Sequence, residues 1–368
     1  MKVLVTGANG FIAKNLISNL MNMPNIEILK YDKEDSKDRL KSLVKECDFI
    51  YHLAGVNRPE TSKEFYEGNS GLTAEIINIL ETNDKKTPIL LTSSTQVGNG
   101  SDYAKSKEEA ENSIKEYAKR YNIDCFIYRL PNVFGKWSKP NYNTVIATWC
   151  YNVARDKEIV VDDSSKELTL VYIDDVINHF INHLYIKQES EIYYTVTPYY
   201  KKRLGEIRDL LFKFKESRKT LIISHIAKGF ERALYATYLS FLPTDKFSYK
   251  LSGHRDDRGT FYEILKTIDS GQLGISTTKP SITRGNHYHN TKNEKFLVLK
   301  GKALIELRDI FSDEVIQYNV DGNNLEIVEM IPGYTHNIKN VGDEEMILLI
   351  WANENFDPKN PDTYYLEV

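Results

Sequence analysis

Cysteine is scarce in this chain: three in 368 residues, Cys47, Cys125 and Cys150, with no CxxC pair among them. No disulfide framework is supported, and a reducing, cytoplasmic compartment with buried thiols is expected. Long apolar runs are missing too. No stretch can span a bilayer, and the opening apolar run is far too short for a signal peptide, so no membrane partner is expected. Excess charge of one sign is also missing, with 48 Lys+Arg against 52 Asp+Glu and a formal net charge of -4. That balance gives no reason to invoke nucleic acid or anionic lipid. Period-locked repeats and low-complexity tracts are not found. What remains is an ordinary soluble globular composition, 41% hydrophobic and 27% charged, on a chain long enough for two domains.

Met1 to Asn15 carry the organising signal. Val3 to Val5 form a short β-branched run suited to a strand buried on both faces of a parallel sheet. Thr6-Gly7-Ala8-Asn9-Gly10 breaks it, and Phe11, Ile12 and Leu16 restart with helical spacing. A strand, a Gly-rich turn and a helix make a phosphate cradle, in which backbone N–H groups and the helix dipole face a pyrophosphate. Gly7, Asn9, Gly10, Phe11 and Ile12 are its candidate contacts. Ile26 to Asp32 read as a second strand whose end splits the cofactor signal. Asp32 suits the ribose 2′-OH of NADH, whereas Lys33 suits the 2′-phosphate of NADPH. A third strand, Asp48 to Gly55, ends in the turn Leu53-Ala54-Gly55, and a helix is expected over Asn69–Leu80.

The fourth strand, Pro88 to Ser94, carries chemistry at its end. Tyr103-Ala-Lys-Ser-Lys107 opens a helix-forming run to Tyr121, so Tyr103 and Lys107 lie one turn apart on one face. This spacing suits carbonyl reduction. The phenol donates a proton to the developing alkoxide, the ammonium lowers the phenol's pKa, and Ser94 adds a second hydrogen bond. The same YxxxK pattern at Tyr262/Lys266 and Tyr288/Lys292 lacks that setting and receives no role. His179 and His183, four apart without the Glu of HExxH, read as structural or exposed.

These motifs resemble those of extended, nucleotide-sugar short-chain dehydrogenase/reductases: Gly7-x-x-Gly10-x-x-Ala13 resembles their TGxxGxxG loop, with Ala at the third position. The resemblance implies a Rossmann-type, doubly wound parallel sheet of α/β class. It sets Leu53, Ala54 and Gly55, together with Tyr103 and Lys107, beside an NADPH cofactor, with NADH as the alternative. Ile127 to Gly135 look like the RxxNVYG segment, which implies that Arg129 and Asn132 lie near the substrate; pairing of Arg129 with a carboxylate is the other reading. Lys136 to Asn143 form a polar, aromatic loop of the type that wraps a sugar, and Leu168 to Val176 resemble the segment closing the substrate cleft. From Leu204 to Leu242 the period is helical (Ile207, Leu210, Leu211, Phe214), and Pro243 to Lys250 mark a boundary. Domains are therefore expected at 1–243 and 244–368.

Beyond Thr260 the chain reads as short strands between Gly and Asn/Asp turns, as in a β-sandwich or barrel. His287-Tyr-His289, Glu294 and His336 have metal-ligand spacing: three nitrogens and one oxygen, with room for water or substrate. Zinc (Zn2+) fits best, with iron, manganese and nickel as alternatives. These segments resemble the two motifs of an all-β cupin (jelly-roll) domain. Asp257 to Glu263 and Arg284 to Tyr288 resemble the DxRGxFxE and RGxHY segments of deoxysugar 3,5-epimerases, where the His is a base and an Arg holds nucleotide phosphates. Arg258 and Arg284 are thereby substrate-binding candidates. His287 is claimed as both base and ligand; with His289, Glu294 and His336 present, the ligand role is preferred. The base then stays open among a metal-activated water, Asp257 and Glu263.

Over its whole length the chain resembles the CapF-type bifunctional enzymes of capsular polysaccharide biosynthesis. Shared stretches include Asn57-Arg-Pro59, Phe134 to Trp137, Asn293 to Leu297, Gly333 to Asn337 and Pro361 to Tyr364. The resemblance implies a UDP-N-acetylamino-sugar substrate. It further implies that the cupin inverts C3 of a UDP-4-keto-6-deoxy-N-acetylhexosamine, and that NADPH-dependent reduction of C4 then gives UDP-2-acetamido-2,6-dideoxy-L-talose on the route to UDP-N-acetyl-L-fucosamine. A homodimer is expected. Two alternatives stand beside it: a reductase whose cupin is only a structural metal or dimerisation module, and a non-catalytic nucleotide sensor.

Overall fold

The computed structural model describes residues 1–142, 144–186 and 192–368. They form two compact units, Met1–Phe212 with Lys228–Pro243, and Lys213–Ala227 with Thr244–Val368. No helix among the described residues is long and apolar enough to cross a membrane.

The first unit runs β1 (Lys2–Thr6), α1 (Phe11–Leu20), β2 (Glu27–Tyr31), α2 (Lys37–Glu46), β3 (Phe49–His52), α3 (Ser62–Phe65), a π-helical turn (Tyr66–Gly71), α4 (Leu72–Thr82), β4 (Ile89–Ser94) and α5 (Asp102–Tyr121). It continues with β5 (Cys125–Leu130), β6 (Asn132–Phe134), α6 (Val145–Val153), β7 (Glu167–Tyr172), α7 (Ile173–Asn182), β8 (Tyr193–Tyr194), β9 (Tyr200–Arg203), α8 (Leu204–Thr220), whose residues from Lys213 onward are counted with the second unit, and α9 (Gly229–Ser240). Among the described residues β2-β1-β3-β4-β5-β8 form one sheet, parallel throughout.

Period-two alternation explains the double winding. Val3 and Val5 join a core with α1 and α7 on one face, whereas Leu4 joins a core with α2, α4 and α5 on the other. The strand order reverses between β1 and β3, so the crevice beyond their carboxyl ends is the place where such sheets bind ligands. Helix α5 begins where Ser101 accepts a hydrogen bond from the Ala104 N–H and ends at Asn122 in the left-handed region.

Asn69 differs from expectation. It lies buried inside the π-helical turn rather than opening a regular helix, which begins at Leu72. The wider turn lets its amide exchange hydrogen bonds with both Val56 N–H and Val56 C=O.

The second unit contains β10 (Ile222–Ile223), β11 (Gly253–Asp256), β12 (Gly259–Thr267), β13 (Gln272–Thr278), β14 (Thr283–Tyr288), β15 (Glu294–Lys300) and β16 (Lys302–Asp309). Then follow β17 (Val315–Asp321), β18 (Ile327–Met330), β19 (Tyr334–Asn340), β20 (Met346–Ala352) and β21 (Tyr364–Tyr365). One sheet runs β10-β12-β13-β20-β15-β18 with β11 on β12, and the other β17-β16-β19-β14-β21. Phe296, Val298 and Leu348 of the first meet Ile305, Leu307 and Ile338 of the second in one core, which makes a sandwich. Residues 213–227 fall in this unit, although the reading by period places them before the boundary. The reason is a long-range pairing: β10 adds to β12 in parallel, with Ile222 opposite Lys266.

Candidate active site and candidate metal centre

In the first unit the crevice is built on glycine. Gly7 has φ +66°, and a Cβ there would lie 2.8 Å from Ala54 Cα, so only glycine lets β1's turn pack against the turn after β3. Gly10 starts α1 without a side-chain cap, which leaves the helix's first N–H groups for an anion. The donor-rich, glycine-lined cradle thus fits a dinucleotide diphosphate, with Asn9 exposed and Phe11 and Ile12 half-buried at the helix start. Asp32 is tied back to this loop: one carboxylate oxygen accepts from Asn9 N–H at 2.6 Å, the other from Lys33 N–H at 2.8 Å. The Lys33 ammonium stands in solvent, 3.6 Å from Glu34. Beneath the loop, His52 is buried between the hydroxyls of Thr6 (2.8 Å) and Thr73 (2.9 Å). Burial, helped by the Lys107 charge, pushes it down to about 3, so it is neutral and structural.

Ser94, Tyr103 and Lys107 are brought together at the end of β4. Ser94 hydrogen-bonds the Tyr103 phenol, opposing the upward push of burial on that group. Lys107 is only 5% exposed. Its ammonium donates to Thr92 C=O at 3.2 Å, and a Cβ on Gly55 would lie 2.9 Å from it. Burial lowers its pKa to about 8, with the Glu111 carboxylate partly opposing. A phenol, a hydroxyl and a buried cation gathered at a strand's carboxyl end can deliver a proton to a carbonyl oxygen. Asn69 braces the arrangement, donating to the Ser106 hydroxyl at 2.9 Å while holding Val56.

Of the two readings of Arg129, the carboxylate pairing is seen: its guanidinium makes two bonds to Glu111, at 2.9 and 2.6 Å. Glu111 is buried and also accepts from Ser93 and Tyr193 hydroxyls, so Arg129 balances a charge that cannot reach water. Glu111 was not singled out by sequence reading, although it sits one further turn along α5 from Lys107. Asn132 is exposed at the start of β6, with its amide on Thr169 C=O at 3.3 Å. In the aromatic loop, Lys136 pairs with Asp174 at 2.8 Å and Trp137 is half-exposed; Asn143 lies outside the described residues. His183 bonds the Tyr128 hydroxyl and His179 the backbone of Thr197, both structural as expected. The three thiols are buried.

In the second unit His287, His289, Glu294 and His336 converge, with donor atoms within 4.8 Å of one another. A bulge in β14, with Gly285 at φ +100° and Asn286 at φ +60°, re-aims His287, which stands opposite His336 on β19. Glu294 comes from β15 of the other sheet, and His289 follows the end of β14. The Glu294 carboxylate is 3.7 Å from His289 Nε2 and 3.8 Å from His336 Nε2, too far for hydrogen bonds. His289 Nδ1 meets the Asp362 carbonyl, which can only accept, so Nδ1 donates, and in a neutral imidazole that leaves the lone pair on Nε2. That Nε2 is buried with no hydrogen-bond partner among the described residues. Burial and the neighbouring histidines keep His336 and His287 below the ordinary histidine value. Neutral imidazoles, an orphaned lone pair and one carboxylate fit a divalent cation.

Nearby on β14, Arg284 donates to Asp256 (3.4 Å) and Thr277 C=O (3.3 Å), while its Nε is buried without a partner among the described residues. Arg258 forks onto Asp256. Of the two carboxylates considered as base, Glu263 pairs with Lys266 at 2.8 Å, and Asp257 is exposed. Asp362 escaped the sequence reading of the metal set; nothing local marks it beyond the Pro361 to Tyr364 stretch.

Residues 3–193 match the NAD dependent epimerase/dehydratase family, and residues 254–364 the polysaccharide biosynthesis C-terminal domain. The chain is 47% identical over its full length to UDP-2-acetamido-2,6-beta-L-arabino-hexul-4-ose reductase of Pseudomonas aeruginosa, covering 99% of that protein. It superposes on the capsular polysaccharide assembling protein CapF from Staphylococcus aureus with a TM-score of 0.94, at 47% identity and full coverage of both chains. UDP-glucuronic acid 4-epimerase from Bacillus cereus shares the fold of the first part: TM-score 0.52, 18% identity, 58% of this chain and 83% of that one.

Proposed function

The chain belongs to the CapF-type branch of the NAD dependent epimerase/dehydratase family, and we propose that it inverts C3 and then reduces C4 of a UDP-linked 4-keto-6-deoxy-N-acetylhexosamine. The observation that carries the reductase half is the convergence of Ser94, Tyr103 and the buried Lys107 at the carboxyl end of β4 in a parallel sheet. Tyr103 protonates the C4 oxygen as it gains charge. Ser94 orients the phenol and shares that oxygen, and Lys107 stabilises the phenolate left behind. A nicotinamide cofactor, when bound in the glycine cradle, supplies the hydride; NADPH is preferred to NADH because Lys33 stands exposed just beyond the end of β2, with only a solvent-exposed Glu34 beside it. Asn132 faces the sugar.

For the second unit the proposed role is that of a cupin epimerase. Arg258 and Arg284 hold the nucleotide diphosphate, a reading supported by the partnerless buried Nε of Arg284. A divalent cation, zinc by its donor set, is held by His287, His289, Glu294 and His336 and would polarise the substrate carbonyl. The order is set by chemistry: the C4 ketone acidifies the C3 hydrogen, and reduction removes that activation. The product is UDP-2-acetamido-2,6-dideoxy-L-talose.

The test is incubation of the full chain with a UDP-4-keto sugar in heavy water, with NADPH omitted, followed by NMR for deuterium at C3. NADPH is then added and the product configuration read. Wild type is expected to exchange C3, and His289→Ala to lose both metal and exchange while still oxidising NADPH on a substrate that needs no inversion. Exchange that persists without metal would leave the cation structural. No exchange with an active reductase would leave the second unit a metal-stabilised module.

A further inference from the structure

Asp362 lies 73 residues beyond His289 in the chain, yet its carbonyl accepts a hydrogen bond from His289 Nδ1. Its carboxylate is occupied just as fully. The backbone N–H groups of Asn290, Thr291 and Lys292 donate to it at 3.0, 2.9 and 3.0 Å, and the Thr291 hydroxyl does so at 2.9 Å. Those three residues are the turn that leads from His289 toward Glu294, so one side chain clamps the connection between two candidate ligands.

The main chain of Asp362 is itself held on both sides. Before it, the Lys292 ammonium donates to Pro361 C=O at 2.8 Å. After it, β21 pairs with β14, setting Tyr365 opposite His287 and Tyr364 opposite Tyr288. The residue sits in the left-handed region at φ +39°, a conformation for which aspartate is among the few tolerant side chains. Side chain and carbonyl act together: the clamp fixes the turn, and the fixed turn presents the carbonyl to the imidazole.

We propose that Asp362 is a positioning residue of the metal centre, holding the Asn290–Lys292 turn and locking His289 in the tautomer whose Nε2 faces Glu294. This rests on reading the His287, His289, Glu294 and His336 cluster as a cation site. Partners of this kind typically change metal affinity by about 10–100-fold when removed, and because a substitution at Asp362 removes the side-chain clamp but keeps the carbonyl, the lower end of that range is expected.

The test uses the full-length protein and zinc, with affinity read by competition against a chromogenic chelator. Asp362→Ala is expected to bind zinc at least tenfold more weakly than wild type. Asp362→Asn, which keeps an acceptor oxygen but no charge, should fall between the two, and it serves as the readout should the alanine variant not fold. NADPH affinity, a property of the first unit, should not move. Cobalt-loaded variants should also show displaced visible bands, which a brace acting only on folding would leave in place. Zinc affinity within twofold of wild type in the folded variants would overturn the proposal while leaving the metal site intact. Failure of wild type itself to bind zinc would instead sink the metal reading, and this inference with it.

Discussion

Lys107→Met is expected to abolish turnover and yet stabilise the first unit. The ammonium is buried against Thr92 and the Gly55 turn, and burial lowers its pKa from 10.5 to about 8. A depression of roughly 2.5 pH units corresponds to about 3 kcal/mol of folding free energy lost while the group is charged in both states. Below about pH 8 folded and unfolded chains both hold the proton, and the whole penalty stands. From there to pH 10.5 the unfolded chain binds more protons than the folded one, so stability rises with pH and the penalty fades. Methionine keeps similar bulk without the charge, and loses the charge-assisted bond to Thr92 C=O, which contributes about 1.5–3 kcal/mol. The net gain at pH 7 is then at most about 1.5 kcal/mol, or up to roughly 3–6 °C in Tm for a unit of this size. The assay is thermal unfolding by circular dichroism without nucleotide, following the transition that NADPH raises in wild type. A variant that melts below wild type at pH 7 would refute the reasoning, and so would a gap that does not narrow by pH 10.

Tyr103→Phe should lower kcat for NADPH oxidation by about 10²–10⁴-fold while NADPH binding, read by fluorescence titration, stays within twofold; turnover within tenfold of wild type would remove Tyr103 as the donor. Lys33→Ala ought to weaken NADPH binding several-fold and leave NADH nearly unchanged, since the exposed ammonium has only a phosphate to gain over a hydroxyl; equal losses would exclude a 2′-phosphate contact. Arg129→Ala leaves the buried Glu111 carboxylate with only hydroxyl donors, and because the guanidinium is itself partly exposed the expected cost is about 1–3 kcal/mol, measured by denaturant unfolding. A substrate role for Arg129 would appear instead as a raised KM with stability unchanged.

Sequence alone was enough wherever the information is local. The alternation of Val3, Leu4 and Val5 implies a strand with two buried faces, and helical spacing sets Tyr103 and Lys107 on one face of α5. Gly7 is a similar case, because its backbone conformation follows from the turn it must make. Residue type and spacing likewise marked His287, His289, Glu294 and His336, since ligand chemistry restricts which side chains can serve. Tertiary structure decided what depends on meetings between distant segments. Whether Arg129 is left for a substrate depends on Glu111 arriving from α5 to claim it. Residues 213–227 belong to the second unit because β10 finds an edge on β12, a pairing that no period within those residues announces. Asn69 reaches Val56 through a π-helical turn that a regular helical pattern conceals. Asp362 carries no local mark of its place beside His289, because that contact exists only once β21 has joined β14 and the chain has closed over the turn. Periodicity records which face a residue presents; which partner waits there is settled by register and packing across the whole chain.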